Sequence, residues 1–155
     1  MADRSKGRLY VGPVRILQQR VKSHPCKRSS NIKRYKKYFN KCYINEFSHK
    51  NEDTEPISDF EWGKYWNMPK GHEFRFTESS EFQHGHFGNY FPNRGYKIDF
   101  LPYDVTLFEY ATKIKEMKSN RYINLGATKM VLIDFGFMFP SSTYFVNVNM
   151  LFEFS

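Results

Sequence analysis

Cations and aromatic rings dominate the chemistry available to the first third of this sequence. From Arg15 to Tyr43 it reads RILQQRVKSHPCKRSSNIKRYKKYFNKCY. Arg15, Arg20, Lys22, Lys27, Arg28, Lys33, Arg34, Lys36, Lys37 and Lys41 supply the charge, and Tyr35, Tyr38, Phe39 and Tyr43 interleave with them near the end. Long cationic side chains neutralise phosphates, and rings stack on unpaired bases. These ten cations therefore read as candidate nucleic-acid contacts. Six of them, Lys27, Arg28, Lys33, Arg34, Lys36 and Lys37, also cluster in the manner of a nuclear-import address.

Other chemistry finds less support. His84 and His86, with His72 upstream, could hold a metal only with further ligands, and Cys26 and Cys42 lie far outside zinc spacing. The histidines read instead as exposed loop residues, and neither a metal nor a cofactor is expected. No Gly-x-Ser-x-Gly, P-loop or Gly-x-Gly-x-x-Gly occurs. Cys26 follows His24 and Pro25, but within the basic stretch. The carboxylate pairs Glu52/Asp53 and Asp59/Glu61 fit solvated loops, and Trp62 and Trp66 fit core or interface anchors. The balance favours a binding or structural protein over an enzyme.

The elements that would carry these residues are mostly strands. A chain of 155 residues fits one domain, and its 19% aromatic content favours pleated, half-buried surfaces. No apolar run approaches the ~18 residues of a membrane span, and the opening MADRSKGRLY does not read as a secretory leader. Two cysteines make no disulfide framework, so a reducing compartment is expected. Charge is split: residues 1–50 hold 14 Lys/Arg and two acids, and residues 51–155 hold 10 Lys/Arg and 14 acids. This predicts a basic arm over 1–50 joined through SHKNEDTEPIS to a β-rich domain over 51–155.

Within that domain apolar residues alternate in EFRF and YKIDF. The segment YDVTLFEYATKIKEMKSN predicts one short helix, capped by Asp104, with Leu107, Phe108, Ala111, Ile114 and Met117 on its apolar face. RYINL (121–125) predicts a short strand. KMVLIDFGFMF and TYFVNVNMLFEF predict a hairpin around PSST. In its second strand Tyr144, Val146, Val148, Met150, Phe152 and Phe154 form one apolar face, whose stretch from Val146 to Phe154 is expected as a wall of a sheet-on-sheet core. The mixed face, Phe145, Asn147, Asn149 and Leu151, suits a contact surface. The fold class expected is mainly β: an antiparallel, jelly-roll-like sandwich with a basic N-terminal arm and at most one short helix.

The closing segment NRYINLGATKMVLIDFGFMFPSSTYFVNVNMLFEFS resembles the end of circovirus-type capsid proteins, from small circular single-stranded DNA viruses. HFGNYFPNRGYKIDFLP is similar, more loosely, to the part before it. The resemblance implies a jelly-roll subunit that self-assembles into a small icosahedral shell, binds packaged single-stranded DNA through the arm, and meets nuclear import receptors but no membrane. It places the protein in the virion and the host nucleus. The alternatives are a small basic accessory subunit of an organellar or ribosomal assembly, and a hydrolase using Asp59 or Glu61.

Overall fold

A computed structural model gives the structure of the chain. It describes residues 9–26, 41–55, 57, 76–77, 82–85, 90–92, 94–101, 106–140 and 143–154. The strands are β1 (Leu9–Arg20), β2 (Ser23–His24), β3 (Cys42–Tyr43), β4 (Phe76–Thr77), β5 (Phe82–His84), β6 (Tyr90–Pro92), β7 (Gly95–Phe100), β8 (Thr128–Phe139) and β9 (Tyr144–Glu153). One helix is described, α1 (Leu107–Ser119). The mainly β, antiparallel architecture with a short helix is the class the alternating pattern predicts. Where that pattern suggested jelly-roll-like sheets, the described strands pair as a five-stranded sheet, β4-β7-β1-β8-β9, with two short ladders, β2-β3 and β5-β6.

The middle strand of the sheet is β1, drawn from the segment expected as a basic arm. The arm reading misses it because charge masks its alternation. Ile16 pairs with Ile98 on one side and Ile133 on the other, and Leu17 pairs with Leu132. Directly opposed residues share a face, so the sheet has two apolar sides. Tyr96, Ile98, Phe100, Met117 and Tyr122, with Val14, Ile16 and Tyr110, form the core beneath α1. Leu17, Val21, Phe47, Phe91, Met130 and Leu132, with Tyr43 and Leu151, form the core on the other side.

Two backbone features fix this arrangement. The β1–β8 register shifts between Val11 and Arg15, across Gly12 (φ 79°) and Pro13. Proline has no N–H for the ladder and glycine accepts the positive φ, so the chain bulges there. At Gly95 (φ 147°) a Cβ would stand 2.3 Å from the backbone oxygen of Gln18. Only glycine lets β7 begin this close to β1.

The hairpin β8–β9 forms as predicted, pairing Met130 with Glu153 through Phe139 with Tyr144. The assignment of its faces is corrected. Tyr144 is 70% exposed and Phe152 48% exposed, so the continuous apolar face is not a core wall. The helix covers β7 and β1, whereas β9 lies two strands away at the sheet edge. Leu151, from the mixed face, is the β9 residue that packs into the core.

The helix is also adjusted in detail. Its cap is Thr106, whose Oγ1 accepts from Glu109 N (3.3 Å) while Glu109 Oε2 accepts from Thr106 N (2.8 Å). This capping box was present in the sequence as TLFE; Asp104 lies outside the described residues. Tyr110 and Met117 face the sheet, and Leu107 and Phe108 face outward. The strand expected over 121–125 is instead turn and bend. Arg121 N donates to Lys118 O and Tyr122 N to Met117 O, which closes the helix as a Schellman motif. The Asn124 side chain then accepts from Gly126 N and turns the chain into β8.

Candidate functional site

Of the ten cations predicted to meet nucleic acid, Arg15, Arg20, Lys22 and Lys41 lie among the described residues. Arg15 lies on β1, and its Nε donates to Asp99 Oδ1 at 2.9 Å. That hydrogen bond holds the guanidinium pKa above its ordinary value, with the charges of Asp99 and Asp134 adding to it. Arg20, at the end of β1, stacks its guanidinium 5.9 Å from the Tyr96 ring. Lys22 and Lys41 are exposed on either side of the β2–β3 ladder. Lys27, Arg28, Lys33, Arg34, Lys36 and Lys37 lie outside the described residues. Arg15 and Arg20 are thus tied to the sheet, and Arg15 already has its carboxylate.

Cys26 and Cys42 are joined in a disulfide, where no disulfide framework was expected. A separation of sixteen residues carries no pairing signal, but the β2–β3 ladder, Ser23 with Tyr43 and His24 with Cys42, brings the two together. The closed segment carries Lys27, Arg28, Lys33, Arg34, Lys36, Lys37 and Lys41.

The candidate acid pairs resolve differently. Glu52 is 3% exposed and accepts from Arg94 Nη2 at 2.6 Å, with His49 Nδ1 3.5 Å away. Asp53 Oδ1 accepts from Glu55 N in a local turn. A charge this buried needs its partner, and Glu52–Arg94 ties the loop at 49–53 to the start of β7. Asp59, Glu61, Trp62, Trp66, His72 and His86 lie outside the described residues. His84 lies on β5, and no group of three metal-ligating side chains occurs among the described residues.

A buried polar chain ties the sheet to the helix exit. Gln18 Nε2 donates to Tyr122 O (2.9 Å), Thr128 Oγ1 donates to Gln18 Oε1 (2.9 Å), and Tyr122 Oη donates to Tyr96 O (3.2 Å). Burial pushes the Tyr122 and Tyr96 phenols well above their ordinary value. These hydroxyls stay protonated donors: that of Tyr122 holds the turn at 120–124 against the sheet, and that of Tyr96 donates to the carbonyls of Asp53 and Glu55.

That positioning opens a cavity of about 390 Å³ between α1 and β1. Ile16, Ile114, Met117, Tyr122 and Ile123 line it, and Lys118 and Arg121 stand at its edge. Helical spacing identifies Ile114 and Met117, but nothing in the sequence marks the turn that brings Arg121 and Ile123 beside them. A second surface is the outer hairpin, where Tyr144, Phe145, Met150 and Phe152 are exposed along the edge strand.

A model of the polycystin domain matches residues 3–155. The chain belongs to the polycystin domain family. This overturns the capsid resemblance and, with it, the shell-forming, DNA-packaging role and the virion and nuclear placement. Period-2 aromatic strands separated by Gly, Pro and Asn turns recur in unrelated antiparallel proteins, and that shared pattern was the whole of the likeness. No curated protein matches the chain.

Proposed function

We propose that this polycystin domain is an extracytoplasmic, non-enzymatic module of a membrane protein related to polycystin-type ion channels. The family match over residues 3–155 carries the reading, because that family is associated with cellular membranes and channels. The Cys26–Cys42 disulfide supports the side of the membrane, since structural disulfides persist where the surroundings are oxidising. Among the described residues no helix is long and apolar enough to cross a bilayer. In this reading the sheet is a scaffold, and the exposed hairpin aromatics are contact area for other parts of the same assembly.

The test is topological. An epitope inserted at the β8–β9 turn, beside Pro140, should be labelled on intact cells without permeabilisation. Non-reducing peptide mass spectrometry of alkylated protein should recover Cys26 linked to Cys42. Labelling only after permeabilisation, with both cysteines alkylated, would overturn the reading.

A further inference from the structure

We propose that the cavity between α1 and β1 binds a single-chain anionic amphiphile, its tail among the isoleucines and its acid head against Lys118 and Arg121. The cavity volume, about 390 Å³, falls in the range of small-molecule sites, roughly 300–1,000 Å³. Among the described residues its lining is apolar apart from two cations and the body of Tyr122, with no acidic residue. Lys118 and Arg121 form no ion pair among the described residues, although both are exposed at the edge of the cavity. Such side chains lay their stems along apolar walls and hold their charges at the mouth. Apolar depth with a cationic rim is complementary to an alkyl chain ending in a carboxylate or phosphate.

The backbone of Arg121 adds a separate observation. It occupies the left-handed region at φ 53°, the position of the Schellman motif where glycine is the ordinary residue. An arginine there costs about 1–2 kcal/mol of local conformational preference. Strain of this kind concentrates where the side chain has a task. The helix C-terminus would by itself repel an anion. Here Asn120, Arg121 and Tyr122 amides occupy the carbonyls of Glu116, Lys118 and Met117, so those oxygens are already satisfied.

Four ten-carbon amphiphiles, each below its micellar concentration, test the site: decanoate, decyl phosphate, decanol and decyltrimethylammonium. Methyl NMR of the 155-residue chain should show saturable shifts at Ile16, Ile114, Ile123 and Met117 with the two anions. Decanol should bind more weakly and the ammonium weakest. Tighter binding of decyl phosphate would point to a phospholipid-type source, and tighter binding of decanoate to a fatty acid; either supports the site. Arg121→Gly separates binding from folding, because glycine suits this backbone. It should leave the thermal midpoint unchanged or raised while weakening anion affinity roughly tenfold or more, the scale of a lost charge-assisted contact. Ile114→Trp should fill the cavity and abolish the shifts. Equal binding of all four compounds, absent cavity shifts, or an Arg121→Gly variant with undiminished affinity would each overturn the proposal. None of these results bears on which side of a membrane the domain occupies.

Discussion

Lys129 shows how a single residue can oppose the fold that contains it. It sits on β8, the strand with the most ladder partners, and is 3% exposed. Burial pushes its amine below the ordinary value of 10.5. The sign of the consequence follows from linkage. In the interval between the lowered folded value and 10.5 the unfolded chain binds more protons than the folded one, so stability rises with pH there. Below that interval the cost of a buried cation is present in full. Lys129→Met keeps the length of the side chain and removes the charge. It should raise stability at pH 7 by about 1 kcal/mol at most, the low end for a poorly compensated buried polar group. The gain should shrink as pH approaches 10.5. Urea midpoints at pH 7 and pH 10 check both parts, and an equal gain at the two values would show that desolvation is not the cause.

At the scale of elements, local patterns fixed the identity of a segment better than its environment. Alternation in KMVLIDFGFMF and TYFVNVNMLFEF marked β8 and β9, and apolar spacing marked α1. The same alternation could not say which face of β9 would be covered, because cover depends on where the helix lands. It failed on β1 because Arg15 and Arg20 mask its alternation and Gln18 and Gln19, both buried, break its apolar count further. The Gln18 amide bonds to Tyr122 and Thr128, and Gln19 Nε2 donates to the carbonyls of Pro92 and Arg94, partners that are distant in sequence. The cavity was hidden for a related reason. Lys118 and Arg121 are ordinary cations until the helix end and the left-handed turn at Arg121 set them beside an apolar gap. The helix start, by contrast, is encoded locally, and this makes it testable. Thr106→Ala removes the oxygen that accepts from Glu109 N and should cost about 1 kcal/mol. Thr106→Ser should cost much less. Thermal unfolding of the three proteins measures the difference, and an equal loss in both variants would assign it to the threonine methyl group.

For the whole molecule, the decisive constraint is how the second apolar layer is held. The layer over Leu17, Met130 and Leu132 is built largely from short pieces, including Tyr43, Phe47 and Phe91. The β2–β3 ladder has two residue pairs, too few to persist alone. Three backbone bonds secure the adjoining turn: Val21 N to Ala127 O, Lys22 N to Asn51 O and Asp53 N to Arg20 O. The Cys26–Cys42 bond closes the remaining open segment. Cross-linking residues sixteen apart removes unfolded-state freedom worth about 3 kcal/mol in the chain-entropy account. The five-stranded sheet draws its ladders from strands outside the bridged segment, whereas Tyr43 and Phe47 of the second layer follow directly on Cys42. A reductant, or the Cys26→Ser/Cys42→Ser pair, should therefore lower stability by about 2–4 kcal/mol. The loss should be uneven: amides at Tyr43 and Phe47 should exchange faster first, while those between β8 and β9 stay protected. Hydrogen exchange read by mass spectrometry, with and without reductant, distinguishes this from uniform weakening. Unchanged exchange at Phe47 after reduction would mean that the backbone clamp alone holds the layer. If the layer does loosen, the domain keeps its full fold only where disulfides survive, and its compartment becomes a structural requirement.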